Sequence, residues 1–116
     1  MSPLEILREF QDHEDLVVRL AKLEIDSTRL TEYESFLTEE IKEAVAKEPG
    51  VLTMYAVQDQ TKPHHVTIME IYANDSAYQA HLNTPHFLKY KNGTREMVNS
   101  LELIDLDPIV FGVRDN

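Results

Sequence analysis

Two histidines, His81 and His86, are the side chains best suited to chemistry, and they flank the dipeptide Thr84-Pro85. On one unbroken helix, their spacing would set them roughly 140° apart around the axis. Threonine followed by proline restarts a helix, so the break lets both imidazoles turn towards one pocket. Imidazoles near their ordinary pKa accept or donate a proton at neutral pH. The pattern predicts proton transfer at His81 and His86, with a capping or packing role as the alternative for each.

Glu70 is the carboxylate that the sequence sets among apolar neighbours, on one face of a predicted strand with Val66, Ile68 and Tyr72. A carboxylate in such surroundings needs a partner or a raised pKa. One of the two histidines, or Tyr90, is a plausible partner. A structural ion pair or a contact with a second subunit is the alternative reading of Glu70.

Other site chemistries are restricted by composition. The chain has no cysteine, which excludes thiolate metal sites and cysteine nucleophiles, and its three glycines form no phosphate-binding loop. His64 and His65 fall in a predicted hairpin loop, where they are expected to be solvated and to lack the further ligands a metal needs. We therefore expect no metal site.

Hydrophobic periodicity predicts the elements that position these residues. The predicted order is β-α-β-β-α-β, with the second helical region broken at Thr84-Pro85. The expected strands are Leu16 to Ile25, Val51 to Gln58, Val66 to Tyr72 and about Leu101 to Leu106. The first helix is expected to start at Asp26 or Ser27, to expose a solvated face of glutamates that includes Glu40, and to stop at Pro49-Gly50. Gly50 is expected to supply a left-handed helix end.

This order predicts an α+β domain with the ferredoxin-like split βαβ arrangement, in which a four-stranded antiparallel sheet carries both helical regions on one face. The other face would expose apolar residues, expected to be Leu52, Met54 and Ala56 or their alternates. An apolar face of that size requires a partner, and a homodimer through the sheet is the simplest answer. We expect a helical extension over residues 1–15, starting with Ser2 as its cap, and the domain itself over residues 16–116.

Charge and the N-terminal sequence limit the partners. Asp and Glu number 21 against 11 Lys and Arg, for a net charge of −10. A field of that sign repels nucleic acids and anionic membranes, so we expect neither as a partner. The first residues lack the basic and apolar regions of a signal peptide, which predicts a cytoplasmic protein.

Several segments together resemble the antibiotic biosynthesis monooxygenase (ABM) family, which includes quinol monooxygenases and a protein that processes phosphorylated autoinducer-2. The segments are Glu70-x-Tyr72-x-x-Asp75-x-Ala77, Ala80-His81-Leu82-x-Thr84-Pro85-His86-Phe87, the opening strand from Val18 to Ile25, the turn Glu48-Pro49-Gly50-Val51-Leu52, and Leu106-Asp107-Pro108-Ile109. The resemblance implies a dimeric α/β barrel and oxygenation without metal, flavin or haem. The chain has no tryptophan, which argues against haem and against a large polycyclic substrate.

The resemblance also implies roles for the candidate residues. His81 and His86 would be the base and the hydrogen-bond donor, Glu70 would orient a histidine, and Tyr72, Tyr90 and Tyr55 would contact the substrate. The expected reaction is oxidation of a small quinol-like substrate by O₂, with no cofactor.

Two alternatives remain open at this point. The first is an isomerase of a phosphorylated sugar-like metabolite, for which only Arg19, Lys89, Lys91 and Arg95 are plausible phosphate ligands. The second is a non-catalytic dimeric protein that binds a small ligand.

Overall fold

The computed structural model describes residues 15–114, so the expected helix over residues 1–15 lies outside the described residues except for Asp15, which is in a turn. Four strands and three helices follow. They are β1 (Val17–Ile25), α1 (Leu30–Lys47), β2 (Val51–Gln58), β3 (His65–Tyr72), α2 (Asp75–His81), α3 (Pro85–Thr94) and β4 (Val98–Leu106). Single 3₁₀ turns precede α1 and β4.

The four strands form one antiparallel sheet in the order β2-β3-β1-β4. This is the order that the split βαβ arrangement requires, so the predicted ferredoxin-like α+β fold is confirmed. β4 is longer than expected and starts at Val98, because the 3₁₀ turn Arg95–Met97 leads from α3 directly into the sheet.

Polar side chains cap α2, α3 and the 3₁₀ turn Ser27–Arg29 that leads into α1, which itself begins at Leu30 and not at the expected Asp26 or Ser27. The Asp26 side chain accepts a hydrogen bond from the Thr28 backbone, and the Asn74 side chain accepts one from Ala77. Thr84 caps α3, and Pro85 is its first residue. These caps satisfy backbone N–H groups that have no partner within the helix, which explains the predicted break after α2.

Gly50 has a different role from the one expected. Its backbone is outside the left-handed region, and α1 ends instead on Glu48 in an extended conformation. A Cβ atom at Gly50 would overlap the Cβ of Ala77. Glycine is needed there because the chain after α1 passes directly against α2.

The main core lies between the sheet and the helices. On the sheet it contains Ala21, Leu23 and Ile25 of β1 with Val66 and Ile68 of β3, and on the helical side Tyr33, Leu37 and Met97. Alternate residues of β1 and β3 therefore face the helices, as the period of a strand requires.

The open face of β2 combines Leu52 of the first expected set with the alternate set Thr53, Tyr55 and Val57, because β2 changes register between Val51 and Thr53. Beyond this irregularity Met54 lies opposite Glu70 and Ala56 opposite Ile68, which puts both on the helical side. Leu52 is on the open face, packed with Ile71 in a small apolar cluster. Among residues 15–114, no helix has both the length and the apolar character that a membrane crossing requires.

Candidate active site

A cavity of about 570 Å³ lies between the helical side of the sheet and the three helices. Its volume is within the range of sites for small organic molecules, and its walls are largely apolar. Leu37, Ile41, Met54, Ile68 and Phe87 are among its apolar lining residues. The polar and charged side chains in its wall include Arg19, Glu40, Glu70, Tyr78, His81, Tyr90, Lys91 and Arg95.

His81 is the last residue of α2, and its side chain is buried in the cavity wall. The turn to α3 is closed by Thr84, whose hydroxyl donates to the His81 carbonyl at 2.8 Å and accepts from the Phe87 N–H at 3.2 Å. This turn brings the imidazoles of His81 and His86 to a centroid separation of 6.1 Å. The break does bring the two rings together, but the prediction that both face one pocket is wrong: His81 lines the cavity, and His86 lies in an outer groove.

Glu48 joins the two histidines. Its Oε2 atom lies 2.8 Å from Nδ1 of His81 and 2.6 Å from Nε2 of His86. An ionised carboxylate only accepts hydrogen bonds, so it selects the His81 tautomer with a proton on Nδ1. Nε2 of a neutral His81 is then a proton acceptor. Sequence reasoning treated Glu48 only as part of the turn before Pro49 and missed this role.

Glu40 is also part of the site, and its expected place on a solvated face is wrong. It is 4% exposed, and with Tyr33, Leu37 and Ala44 it forms the buried stripe of α1. The spacing of three and four between these positions is the signal that could have identified it. Oε1 of Glu40 lies 3.4 Å from Nε2 of His81. Burial, together with the nearby charges of Glu70 and Glu48, raises the pKa of Glu40 to about 7.

Glu70 lines the cavity, but its hydrogen bond comes from the Tyr72 hydroxyl and not from a histidine. The two side chains are two residues apart on β3 and therefore point to the same face. Burial and the Glu70 charge raise the pKa of Tyr72 above its ordinary value. The expected role of Glu70 in orienting a histidine belongs, in this geometry, to Glu48.

Tyr90 and Tyr55, the other two tyrosines expected to contact the substrate, lie in different parts of the structure. Tyr90 lines the cavity, and its hydroxyl lies 2.7 Å from that of Tyr33, which is buried. Burial raises the pKa of Tyr90 to about 12, so it is a neutral hydroxyl at physiological pH. Tyr55 is 65% exposed and lies opposite Met69 on the open sheet face, away from the cavity.

Three of the four cations considered as phosphate ligands line the cavity: Arg19, Lys91 and Arg95. The Arg19 guanidinium lies 4.6 Å from the centroid of the Tyr78 ring and 3.5 Å from a carboxylate oxygen of Asp105. Lys89 instead donates to Glu39 at 2.8 Å on the outer surface.

Two groups of side chains have the donor types that metals prefer. Glu40, His81 and His86 offer ligand atoms within 4.8 Å of one another. Glu24, His64 and His65 form a second such group at the end of the β2–β3 hairpin. No residue near His64 and His65 in the sequence was expected to serve as a further metal ligand. The pairing of β1 with β3 nevertheless brings Glu24 beside them.

The comparisons with known proteins agree on one family. The family model for "Antibiotic biosynthesis monooxygenase" matches residues 16–93. A crystal structure from Bacteroides thetaiotaomicron, named "Putative antibiotic biosynthesis monooxygenase", is 50% identical with a TM-score of 0.84, and the match covers 89% of this chain and 98% of that one.

Two further solved structures are more distant. A "putative monooxygenase" from Lactobacillus acidophilus is 31% identical over 78% of this chain and 43% of that one, with a TM-score of 0.76. A Caulobacter crescentus protein shares the fold at 20% identity, with a TM-score of 0.77 over 82% of this chain and 91% of that one. No curated protein matches the chain significantly. The matched residues and the 50% identical structure establish that the chain belongs to the antibiotic biosynthesis monooxygenase family.

Proposed function

We propose that this protein is a cofactor-independent monooxygenase that oxidises a small quinol-like substrate with O₂. The observation that carries the proposal is His81, a buried imidazole in the wall of an apolar cavity, with Nδ1 held by Glu48 and Nε2 left as a proton acceptor. An oriented base in a site that excludes bulk water is what deprotonation of a quinol requires.

The chemistry can be carried by the substrate. Deprotonation of one hydroxyl gives an anion that passes one electron to O₂, which yields a semiquinone and superoxide. These combine by a bond between a ring carbon and oxygen, and a proton on the outer oxygen completes a hydroperoxide. Cleavage of the O–O bond, with loss of the proton on that ring carbon, releases water and leaves a new carbonyl. One quinol and one O₂ thus give one hydroxyquinone and one water, with no external reductant.

The residues have distinct roles in this scheme. His81 is the base because it lines the cavity, while His86 lies on the far side of Glu48 and stabilises the arrangement from the outer groove. Tyr90, a neutral hydroxyl in the cavity wall, is the hydrogen-bond donor for the developing anion. Tyr72 holds Glu70 in place.

We also propose that the functional unit is a homodimer formed through the open sheet face. Tyr55 and Val57 are 65% and 45% exposed on that face, whereas Leu52 and Ile71 are already buried there against residues that include Phe111. An exposed apolar sheet face is stabilised when a second copy covers it.

The test of the activity is oxygen uptake by metal-stripped protein with a panel of small 1,4-dihydroxybenzenes, corrected for spontaneous oxidation. We expect uptake that His81→Ala lowers at least 10-fold, with a smaller loss for His86→Ala. His65→Ala is the matched control, because this histidine is exposed at the hairpin. Uptake that survives in both site variants would reject the residues, and no uptake with any quinol would reject the reaction.

A second candidate is an isomerase of a phosphorylated sugar-like metabolite, favoured by the cations Arg19, Lys91 and Arg95 in the cavity wall. Competition between a bound ligand and inorganic phosphate separates this candidate from the oxygenase. Ligand binding with neither turnover nor sensitivity to phosphate would favour a non-catalytic binding protein.

A further inference from the structure

The cavity contains an unsatisfied hydrogen-bond acceptor. Within residues 15–114, Oε1 of Glu40 is the buried side-chain polar atom that has no hydrogen-bond partner. Buried polar atoms in native proteins are nearly always paired, and an exception points to a ligand or a catalytic role. Glu40 lines the cavity, so a molecule within it can reach this carboxylate.

The groups near Glu40 determine which kind of molecule can bind to its carboxylate. The titratable and charged groups of the site are Arg19 of β1, Tyr33 of α1, Glu48 after α1, Glu70 and Tyr72 of β3, Tyr78 and His81 of α2, and Tyr90, Lys91 and Arg95 at and after α3. The residues of β2 and β4 in the cavity lining are not titratable. Glu48 and Glu70 repel further negative charge close to Glu40. These charges exclude an anionic ligand, and the largely apolar cavity wall disfavours a charged ligand of either sign, so the atom that meets Oε1 is a hydrogen-bond donor on a neutral group.

We propose that Glu40 accepts the hydroxyl hydrogen bond of the bound substrate and takes its proton first, so that His81 acts as the base through Glu40 by receiving this proton on Nε2. The proton-transfer part of this inference rests on the proposed function. The ligand class, a neutral phenol, does not depend on it. In the step, the substrate O–H bond breaks, its electron pair stays on the substrate oxygen, and the proton moves to Oε1 of Glu40.

The proton then has a short route to the outer surface. Oε1 of Glu40 lies 3.4 Å from Nε2 of His81, and Glu48 Oε2 connects Nδ1 of the same ring to His86. His86 and Glu48 both border the outer groove. When Nε2 of His81 receives this proton and Nδ1 releases its own to Glu48, one proton moves outward and His81 changes tautomer. The reverse transfer returns the proton that completes the hydroperoxide, and it restores the original tautomer.

The first experiment measures binding of 4-methylphenol and of its methyl ether by calorimetry. The ether keeps the shape of the phenol but has no donor. We expect the protein to bind the phenol at least 10-fold more tightly than the ether, and Glu40→Met to abolish this preference because it removes the acceptor. Glu32→Gln, a change at the exposed start of the same helix, should keep it. A preference that persists in Glu40→Met, or no binding of the phenol at all, would overturn the inference.

The second experiment separates acceptance of the hydrogen bond from acceptance of the proton. The amide oxygen of Glu40→Gln can still accept the phenol hydrogen bond, but it cannot hold the proton. We expect this variant to keep the phenol preference while oxygen uptake with a quinol falls at least 10-fold. In the unmodified protein, uptake should rise with pH around 7, where Glu40 ionises. This rise should be absent in Glu40→Gln, and an unchanged rate and pH profile in the variant would overturn the role in proton transfer.

These two experiments can fail separately. If the unmodified protein consumes no oxygen with any quinol, the proposed function is wrong, and the phenol-to-ether preference still decides whether Glu40 is the acceptor. If oxygen is consumed but Glu40→Met keeps the preference, the proposed function stands and the inference about Glu40 does not.

Discussion

A single oxygen of Glu48 lies within hydrogen-bond distance of both site histidines, 2.8 Å from Nδ1 of His81 and 2.6 Å from Nε2 of His86. Glu48 is far from both histidines in sequence. It approaches them because α1 ends at Lys47 and the backbone of Glu48 is extended. The Glu48 carboxylate therefore connects the end of α1 to the α2–α3 turn and sets the orientation of both rings.

The first prediction concerns Glu48→Ala, which removes this acceptor. The buried His81 would lose the partner of its Nδ1 hydrogen, and a lost partner of this kind costs about 1–3 kcal/mol of unfolding free energy. We expect a loss in that range by urea denaturation at pH 7. Nitrogen NMR of the His81 ring should show a mixture of tautomers in place of one. An unchanged single tautomer would show that Glu48 does not orient the ring.

Much of the fold was predictable because local signals and global arrangement agree. Asn74 and Thr84 cap α2 and α3, Asp26 caps the 3₁₀ turn before α1, and alternation along β1 and β3 identifies their buried faces. The sequence left open which alternating set of β2 faces outward, because a register irregularity at Leu52 reverses the alternation and depends on pairing with β3.

The site was only partly predictable. His81 and His86 were identifiable from residue type and from the Thr84-Pro85 break between them. Glu48 was not, because its contacts are with residues distant along the chain and depend on how α1 meets α2. Glu40 occupies a buried helical position, but a glutamate on a helix rich in glutamates is normally solvated.

The second prediction concerns the pH dependence of stability through Glu40. The folded protein raises the pKa of this carboxyl from 4.5 to about 7, so between these values the folded state binds more protons than the unfolded state. The contribution of Glu40 to the free energy of unfolding should therefore fall as pH rises from about 4.5 to about 7.

Glu40→Gln removes this titration. Relative to the unmodified protein, the variant should gain unfolding free energy progressively across that pH window and show a constant difference above it. Urea denaturation at a series of pH values measures the difference, with Glu32→Gln, at the exposed start of the same helix, as the control. A difference that is independent of pH would contradict the raised pKa.

The third prediction concerns the close approach of Gly50 to Ala77. A methyl group at Gly50 would overlap the Ala77 Cβ, and overpacking of this kind costs about 1–3 kcal/mol. We expect Gly50→Ala to lower the free energy of unfolding by that amount and to displace Glu48 from His81. Adding Ala77→Gly makes room for the new methyl group. If the double variant is no more stable than Gly50→Ala, the contact is not the cause.

The fourth prediction tests the proposed dimer at Val57, which lies on the open sheet face and is 45% exposed. If a second copy covers this face, Val57→Asp buries an unpaired charge at the interface and weakens association. Light scattering at micromolar concentration should give twice 13.4 kDa for the unmodified protein and a shift towards 13.4 kDa for the variant. Val45→Asp is the control, because Val45 is 48% exposed on α1, away from the sheet. A dimer that both substitutions leave intact would place the interface elsewhere, and a monomeric unmodified protein would reject the dimer.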